Sequence, residues 1–246
     1  MSKTITCSWE DVPHLTDDMK EKMLADMLPS QREARTSGIA SVGSGAIYPV
    51  PESVIFCDPF KIPDLWPRAY GMDVGWNRTA AVWGAYDHDS DTWYLYSEHY
   101  IANAEPSVQA DAIKARGVWI RGVIDPASRN RQQADGKNLF DLYSQRGLQL
   151  EKANNSVETG LLEVWQRLST GRLKIFNHLL NWKMEFRHYR RDENGKIVKK
   201  DDHLMDSTRY LMMSGYEVAL APPNGDDDEF TDAVSSVSGK SKRGGY

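Results

Sequence analysis

Three aspartates fall where a carboxylate is hard to keep. Asp73 lies inside the apolar run Tyr70-Gly71-Met72-Asp73-Val74, Asp125 closes the run from Val118 to Ile124, and Asp206 sits among Leu204, Met205, Tyr210 and Leu211. An unpaired buried charge is destabilising by several kcal/mol, so each acid needs a partner. One divalent cation site would serve all three, because Mg²⁺ and Mn²⁺ take oxygen ligands and leave positions for water or phosphate. Two such ions can activate a water and stabilise the leaving oxygen of a phosphodiester, which is nuclease chemistry. Each acid also has a plainer reading. An arginine or backbone N–H groups would satisfy Asp73, and Asp125 before Pro126 suits a turn. In Asp201-Asp202-His203-Leu204-Met205-Asp206, His203 and Asp206 share a helical face. His203 reads as an auxiliary ligand, as a residue orienting water, or as an ordinary surface histidine. Asp202 reads as a further ligand, as an N-cap, or as a partner for the helix dipole.

The elements that must position these residues follow from apolar period and turn chemistry. AYGMDVGW, NRTAAVWGAY and TWYLYSEHYI read as three strands of an antiparallel meander, separated by Asn77-Arg78 and by Asp87 to Asp91. A helix is predicted from about Glu105 to Arg116, opened by Pro106, and WIRGVIDPAS is a strand that stops at Asp125-Pro126. A polar helix at 137–146, a short strand LQLEKA, a periodic helix at 156–169 ended by Gly171 and a strand LKIF come next. FRHYRRDENGKIVKK reads as a hairpin turning at Glu193 to Lys196, and a final helix runs from Asp202 to about Gly215. The fourth strand must join by a crossover, which gives an α/β fold with a mixed sheet covered by helices on both faces.

Residues 1–67 read as an irregular arm. Thr16 caps a short helix striped by Met19, Met23, Leu24, Met27 and Leu28 and stopped by Pro29, and the Gly- and Pro-rich stretch after Ser37 is a wrapping linker rather than core. Residues 68–222 form the domain. Residues 223–246, DDDE followed by SSVSGKSKRGGY, have the composition of a disordered tail.

The chain has 246 residues, 40% of them hydrophobic, and no run approaches the about 18–20 apolar residues that cross a bilayer, which excludes a membrane-spanning helix. Cys7 and Cys57 make neither a disulfide framework nor a metal knuckle, which suits a soluble protein of a reducing cytosol. With 30 Lys and Arg against 35 Asp and Glu, the net charge of −5 repels nucleic acid unless the basic residues are segregated. They are segregated between Lys183 and Lys200. There Lys183, Arg187, Arg190, Arg191, Lys196, Lys199 and Lys200 stand against Glu185, Asp192 and Glu193, and Tyr189 is placed to lean on a sugar or base. The plainer reading is a solvated hairpin with charged edges. Arg129, Arg131 and Lys137 form a second basic group. No phosphate loop of the form G-x-x-x-x-G-K-[ST] occurs, since Val234 stands where Gly239-Lys240-Ser241 would need its first glycine, so the chain carries no such ATPase site.

Taken together, GMDVG with Asp73, VIDPAS with Asp125 and DDHLMDSTRY with Asp206 resemble the nuclease domain of the large terminase subunit of tailed bacteriophages, an RNase H-like fold. SWEDVPHL and ARTSGIASVGSGAIYPV resemble that family's connection between ATPase and nuclease, and ETGLLEVWQRLSTGRLKIF its penultimate helix and strand. The resemblance covers about residues 8–222. It implies metal-dependent endonucleolytic cutting of concatemeric double-stranded viral DNA as procapsids are filled, in the host cytoplasm at the portal and not in the mature virion. It carries Asp73, Asp125 and Asp206 over as metal ligands for Mg²⁺ or Mn²⁺, two ions by analogy, with His203 as an auxiliary. It implies as partners the packaging ATPase domain, which this sequence lacks, the portal protein and the small terminase subunit. Other classes compete. A resolvase- or transposase-type nuclease shares the acids, an actin-like kinase shares Gly-x-Asp-x-Gly, and a docking module would use Trp66, Trp93 and Trp119 as anchors.

Overall fold

The computed structural model describes residues 16, 19–20, 45–75, 78–129 and 138–223. The apolar runs pair as their turn residues predict. Strands β2 (Arg68–Val74), β3 (Arg78–Asp87) and β4 (Thr92–Ala102) form the antiparallel meander. Helix α2 (Pro106–Lys114) then carries the chain past β3 and β2 to β5 (Arg121–Ile124), which lies parallel to β2. Helix α3 (Leu139–Gln145) leads to β6 (Leu150–Lys152) beside β5, and α4 (Val157–Ser169) crosses back to β7 (Leu173–Phe176) beside β4. The result is a seven-stranded mixed sheet, ordered β1-β7-β4-β3-β2-β5-β6, with the two-residue β1 (Phe56–Cys57) at one edge.

The period-2 alternation of β2 sorts its residues between two cores. Tyr70, Met72 and Val74 join Trp83, Ile113, Ile124 and Tyr143 on the face covered by α2 and α3. Ala69, Gly71 and Asp73 turn the other way, toward the last helix, α6 (His203–Val218), on the face where Leu161, Val164, Leu204 and Leu211 pack. The approach there is close. A Cβ on Gly71 would lie 2.0 Å from the backbone oxygen of Ser207, so only glycine lets α6 rest on β2.

Two expectations are corrected. The stretch before Arg68, read as linker, contributes core from Gly45 onward: Tyr48, Val50 and Ile55 are buried, α1 (Glu52–Ile55) follows Pro51, and β1 (Phe56–Cys57) pairs in parallel with β7 at the sheet edge. The hairpin expected from Phe186 to Lys200 is mostly absent. Phe186 to His188 belong instead to α5 (Leu180–His188), and pairing is reduced to single bridges, Arg191 with Ile197 and Ala46 with Arg190. The turn at Glu193-Asn194 does form.

Thr16 Oγ1 accepts from Met19 N–H at 3.4 Å, as an N-cap does, but Met19 is exposed rather than packed. The rest of that helix, the tail from 224, Arg131 and Lys137 lie outside the described residues. Trp93 is core, whereas Trp66 and Trp119 are half-buried, Trp66 stacked on Tyr94. Among the described residues no helix is long and apolar enough to cross a membrane.

Candidate active site

Register brings the first two acids together. β2 and β5 run parallel with Met72 opposite Ile124, so Asp73 and Asp125 are the next residues on neighbouring strands, and the Asp125 N–H reaches Met72 O at 3.4 Å. The chain breaks away at Pro126, whose ring nitrogen cannot donate, and Asp125 Oδ1 accepts from Ala127 N–H at 2.9 Å. The turn role weighed for Asp125 is thus real, and it coexists with burial, Asp125 being 5% exposed.

Helix α6 supplies the remaining groups from its first turn. His203 Nδ1 is 2.8 Å from Asp73 Oδ2, and the Asp73 N–H donates to Ser207 Oγ at 3.1 Å. Burial pushes the Asp73 carboxyl above its usual value, the His203 contact pulls it back, and Asp206 and Asp125 push it up again by repulsion. The Asp73 contact raises the His203 pKa against the effect of burial. Tyr210 reports the same convergence: burial raises its hydroxyl strongly, and Asp206, Asp125 and Asp73 all add in the same sense.

Two cations hold Asp206. Lys199 Nζ is 3.0 Å from Asp206 Oδ2 and 3.0 Å from Asp202 Oδ2, and burial disfavours its charge less than these two acids favour it. Arg209, 2% exposed, grips Asp206 Oδ1 from Nε at 3.3 Å and Nη2 at 3.0 Å. Asp202 stands at the N-cap position of α6 but makes no capping hydrogen bond with its side chain. That job falls to buried Glu185 on α5, whose Oε2 accepts from Leu204 N–H at 2.6 Å and Met205 N–H at 3.3 Å. A carboxylate at a helix N-terminus satisfies otherwise orphaned donors and suits the dipole.

Among the described residues no three His, Cys, Asp or Glu side chains form a ready-made metal cage. The donor set nonetheless suits a hard cation in kind: carboxylates from two strand ends and a helix, with Asp73 destabilised as an anion by burial and by its acidic neighbours.

The basic residues divide into three groups. Lys183 and Arg187 on α5 meet Glu52, with Lys183 Nζ at 3.3 Å and Arg187 Nη2 at 2.8 Å from Oε2, so their charge is answered inside the fold. Arg191 pairs with Glu158 at 2.7 Å, and Lys199 belongs to the acid cluster. Arg190, Lys196 and Lys200 are exposed with no salt bridge among the described residues. Tyr189 does not reach outward. It is 3% exposed and its ring lies 5.6 Å from that of Tyr48.

Sequence reasoning missed Glu185, Arg209 and Asn155. A carboxylate three residues after Trp182 and beside Phe186, on the buried side of a helix, was a signal for Glu185, and the three-residue spacing to Asp206 was one for Arg209.

An antiparallel meander extended by parallel crossover strands, with acids gathered at the ends of β2 and β5 under a closing helix, defines an RNase H-like fold. The Terminase RNaseH-like domain family matches residues 70–214, and the chain belongs to that family. It is 34% identical over 226 residues to the terminase large subunits of Enterobacteria phage LP7 and Salmonella phage P22, covering 86% of this chain but 46% and 44% of theirs. The chain thus spans under half the length of these relatives. The P22 large terminase nuclease domain superposes with a TM-score of 0.67 at 32% identity, over 74% of this chain and 97% of that domain. The nuclease domain of the bacteriophage SPP1 large terminase, solved with bound Mn, shares the fold at a TM-score of 0.52 and 18% identity, over 68% of this chain and 99% of that one. The large terminase nuclease of thermophilic phage G20c with bound magnesium does so at 0.51 and 16%, over 68% and 96%.

Proposed function

We propose that this chain is a divalent-metal-dependent DNA endonuclease that cuts concatemeric double-stranded viral DNA during genome packaging. The observation that carries the reading is the gathering of Asp73, Asp125 and Asp206 at one end of the sheet, in a fold that the P22 terminase nuclease domain shares. Asp73, Asp125 and Asp206 would hold Mg²⁺ or Mn²⁺, two ions in this reading, with His203 and Asp202 at the margin; the Mn- and Mg-bound relatives support the choice of ion. The metal, when bound, supplies an activated water and charge stabilisation at phosphorus.

The chain's own residues do the rest. His203 holds Asp73 in place through Nδ1. Glu185 fixes the first turn of α6, on which His203 and Asp206 ride. Lys199 neutralises Asp206 and Asp202. Exposed Arg190, Lys196 and Lys200 lie on the segment that Lys199 ties to the acids, which supports a reading in which they would grip phosphates beside the site, independently of base sequence.

The partners in this reading are a packaging ATPase domain, the portal protein and the small terminase subunit, met at the procapsid in the host cytoplasm. Domain limits of 68–222 carry the nuclease, with residues 45–67 as its structural margin. The test is nicking of plasmid DNA with millimolar Mn²⁺. Cutting by the wild-type chain and none by Asp73→Ala is expected; equal cutting by both overturns the assignment.

A further inference from the structure

Asp125 and Asp206 are joined by a bridge of which only one arm, the three-residue pair of Arg209 with Asp206 on α6, follows from helix geometry. Arg209 donates from Nη1 to Asn155 Oδ1 at 3.1 Å, while its Nε and Nη2 hold Asp206 Oδ1. Asn155 Nδ2 turns in the opposite direction and reaches Asp125 Oδ1 at 3.4 Å. One exposed amide and one buried guanidinium thus link the carboxylate on α6 to the carboxylate after β5.

The surroundings are shaped for this bridge. The loop bearing Asn155 is pinned to α6, because Asn154 N–H donates to Ser214 Oγ at 2.8 Å, and it is closed on itself where Ser156 N–H donates to Asn154 Oδ1 at 3.0 Å. Across from Arg209, α4 carries Gly160, where a Cβ would lie 2.5 Å from Arg209 Cγ, so the glycine leaves the slot in which the arginine stem lies. The guanidinium carbon stands 4.6 Å from the Tyr210 ring centre. Charge alone does not explain the choice of residue. Any positive charge beside Asp206 weakens its attraction for a cation, but the planar fork of Arg209 touches Oδ1 alone and so also fixes the direction of Oδ2, the oxygen that Lys199 Nζ meets at 3.0 Å and that a divalent cation would take over from it.

We propose that Arg209 and Asn155 are positioning residues that set Asp206 and Asp125 at a fixed mutual distance, so that a divalent cation meets preset oxygens. The proposal rests on the nuclease reading above. Removing groups that orient metal ligands typically lowers metal affinity about 10- to 100-fold. A purely structural role would lower stability and leave metal response unchanged.

The experiment uses the full chain and the variants Asn155→Ala and Arg209→Lys, each titrated with Mn²⁺. Two readouts are taken: the Mn²⁺ concentration giving half of the metal-induced rise in melting temperature, and that giving half-maximal plasmid nicking. Both concentrations are expected to rise about tenfold or more in each variant. Asn155 is exposed but bonds the buried Arg209, so Asn155→Ala should lower the metal-free melting temperature by a few degrees and still fold, which keeps the test valid should Arg209→Lys fold poorly. A wild type that responds to Mn²⁺ alongside an Asn155→Ala variant with the same half-saturation overturns the bridge alone. A wild type with no Mn²⁺ response overturns the nuclease reading and the bridge with it.

Discussion

Glu185 Oε2 lies 2.6 Å from the backbone nitrogen of Leu204, so a carboxylate on one helix closes the buried N-terminal end of the next. Burial raises the Glu185 pKa, and the contacts with Tyr100 and with the Leu204 and Met205 N–H groups act against that rise. Glu185→Ala leaves two buried N–H groups without acceptors and should destabilise the fold by about 1–3 kcal/mol, read from the urea midpoint. Glu185→Gln keeps one acceptor oxygen and should lose less. Nicking should fall with the alanine variant as well, since the loosened turn carries His203 and Asp206. A wild-type urea midpoint in Glu185→Ala would remove the capping role.

Gly71 marks the closest approach of α6 to the sheet. Gly71→Ala drives a methyl group into the Ser207 carbonyl oxygen, and backbone on both sides leaves little to yield. Overpacking of this kind typically destabilises by about 1–3 kcal/mol, and here the upper end is expected. Chemical denaturation of the purified variant measures it, and a loss below the lower figure would show that the helix can lift away.

His99 on β4 gives a pH signature separate from the acid site. It is 3% exposed and bonds Gln109 through Nε2. Burial lowers its pKa below 6.5, the Gln109 bond resists, and Arg116 lowers it further. The folded state therefore favours neutral imidazole, while the unfolded chain takes up a proton near pH 6.5. His99 thus contributes stability that is complete above about pH 6.5 and is lost as pH falls through its folded pKa. Thermal melts of His99→Gln at pH 7 and pH 5 should show a smaller acid-induced loss than wild type. An identical pH slope in the two proteins would count against a neutral buried His99.

The basic residues can be told apart by salt. Reversal of Arg190, Lys196 and Lys200 to Glu should weaken duplex binding and flatten its salt dependence, by about one unit of slope for each phosphate no longer held. Arg187→Ala, which breaks the ion pair with Glu52, should mainly affect stability. Filter-binding titrations across a range of salt separate the two classes, and equal weakening in both would place α5 in the DNA path.

The parts of this fold that were readable in the sequence are those where local pattern and tertiary outcome coincide. The run from Val118 to Ile124, interrupted by Arg121 and Gly122, ends at Asp125-Pro126, and the stop of the strand follows from that, although the strand itself begins only at Arg121. Asp73 is conspicuous because it interrupts an apolar run, and the structure shows the residues of that run alternating between two cores. Helix α5 was missed for the opposite reason. Its leading N–H groups, those of Asn181 and Trp182, are capped by Glu98 at 3.0 and 2.9 Å, a partner 83 and 84 residues earlier that no short window contains. Strand β1, two residues long, exists only through its pairing with β7. Lys183 and Arg187 look like free positive charge until Glu52 is placed beside them. Asn155 carries no apolar pattern and acquires meaning only through the groups it touches.

The edge strand β1 has a mechanical consequence. Because Phe56 and Cys57 are bonded in parallel to Ile175 and Phe176, and Ile55 is fully enclosed, the chain entering from its N-terminal side is stitched into the sheet rather than tethered to it. A pull or twist arriving from upstream would load the β1–β7 seam first. It would then reach β4, β3 and β2 through the ladder, delivering that strain to the strand that ends beside Asp73.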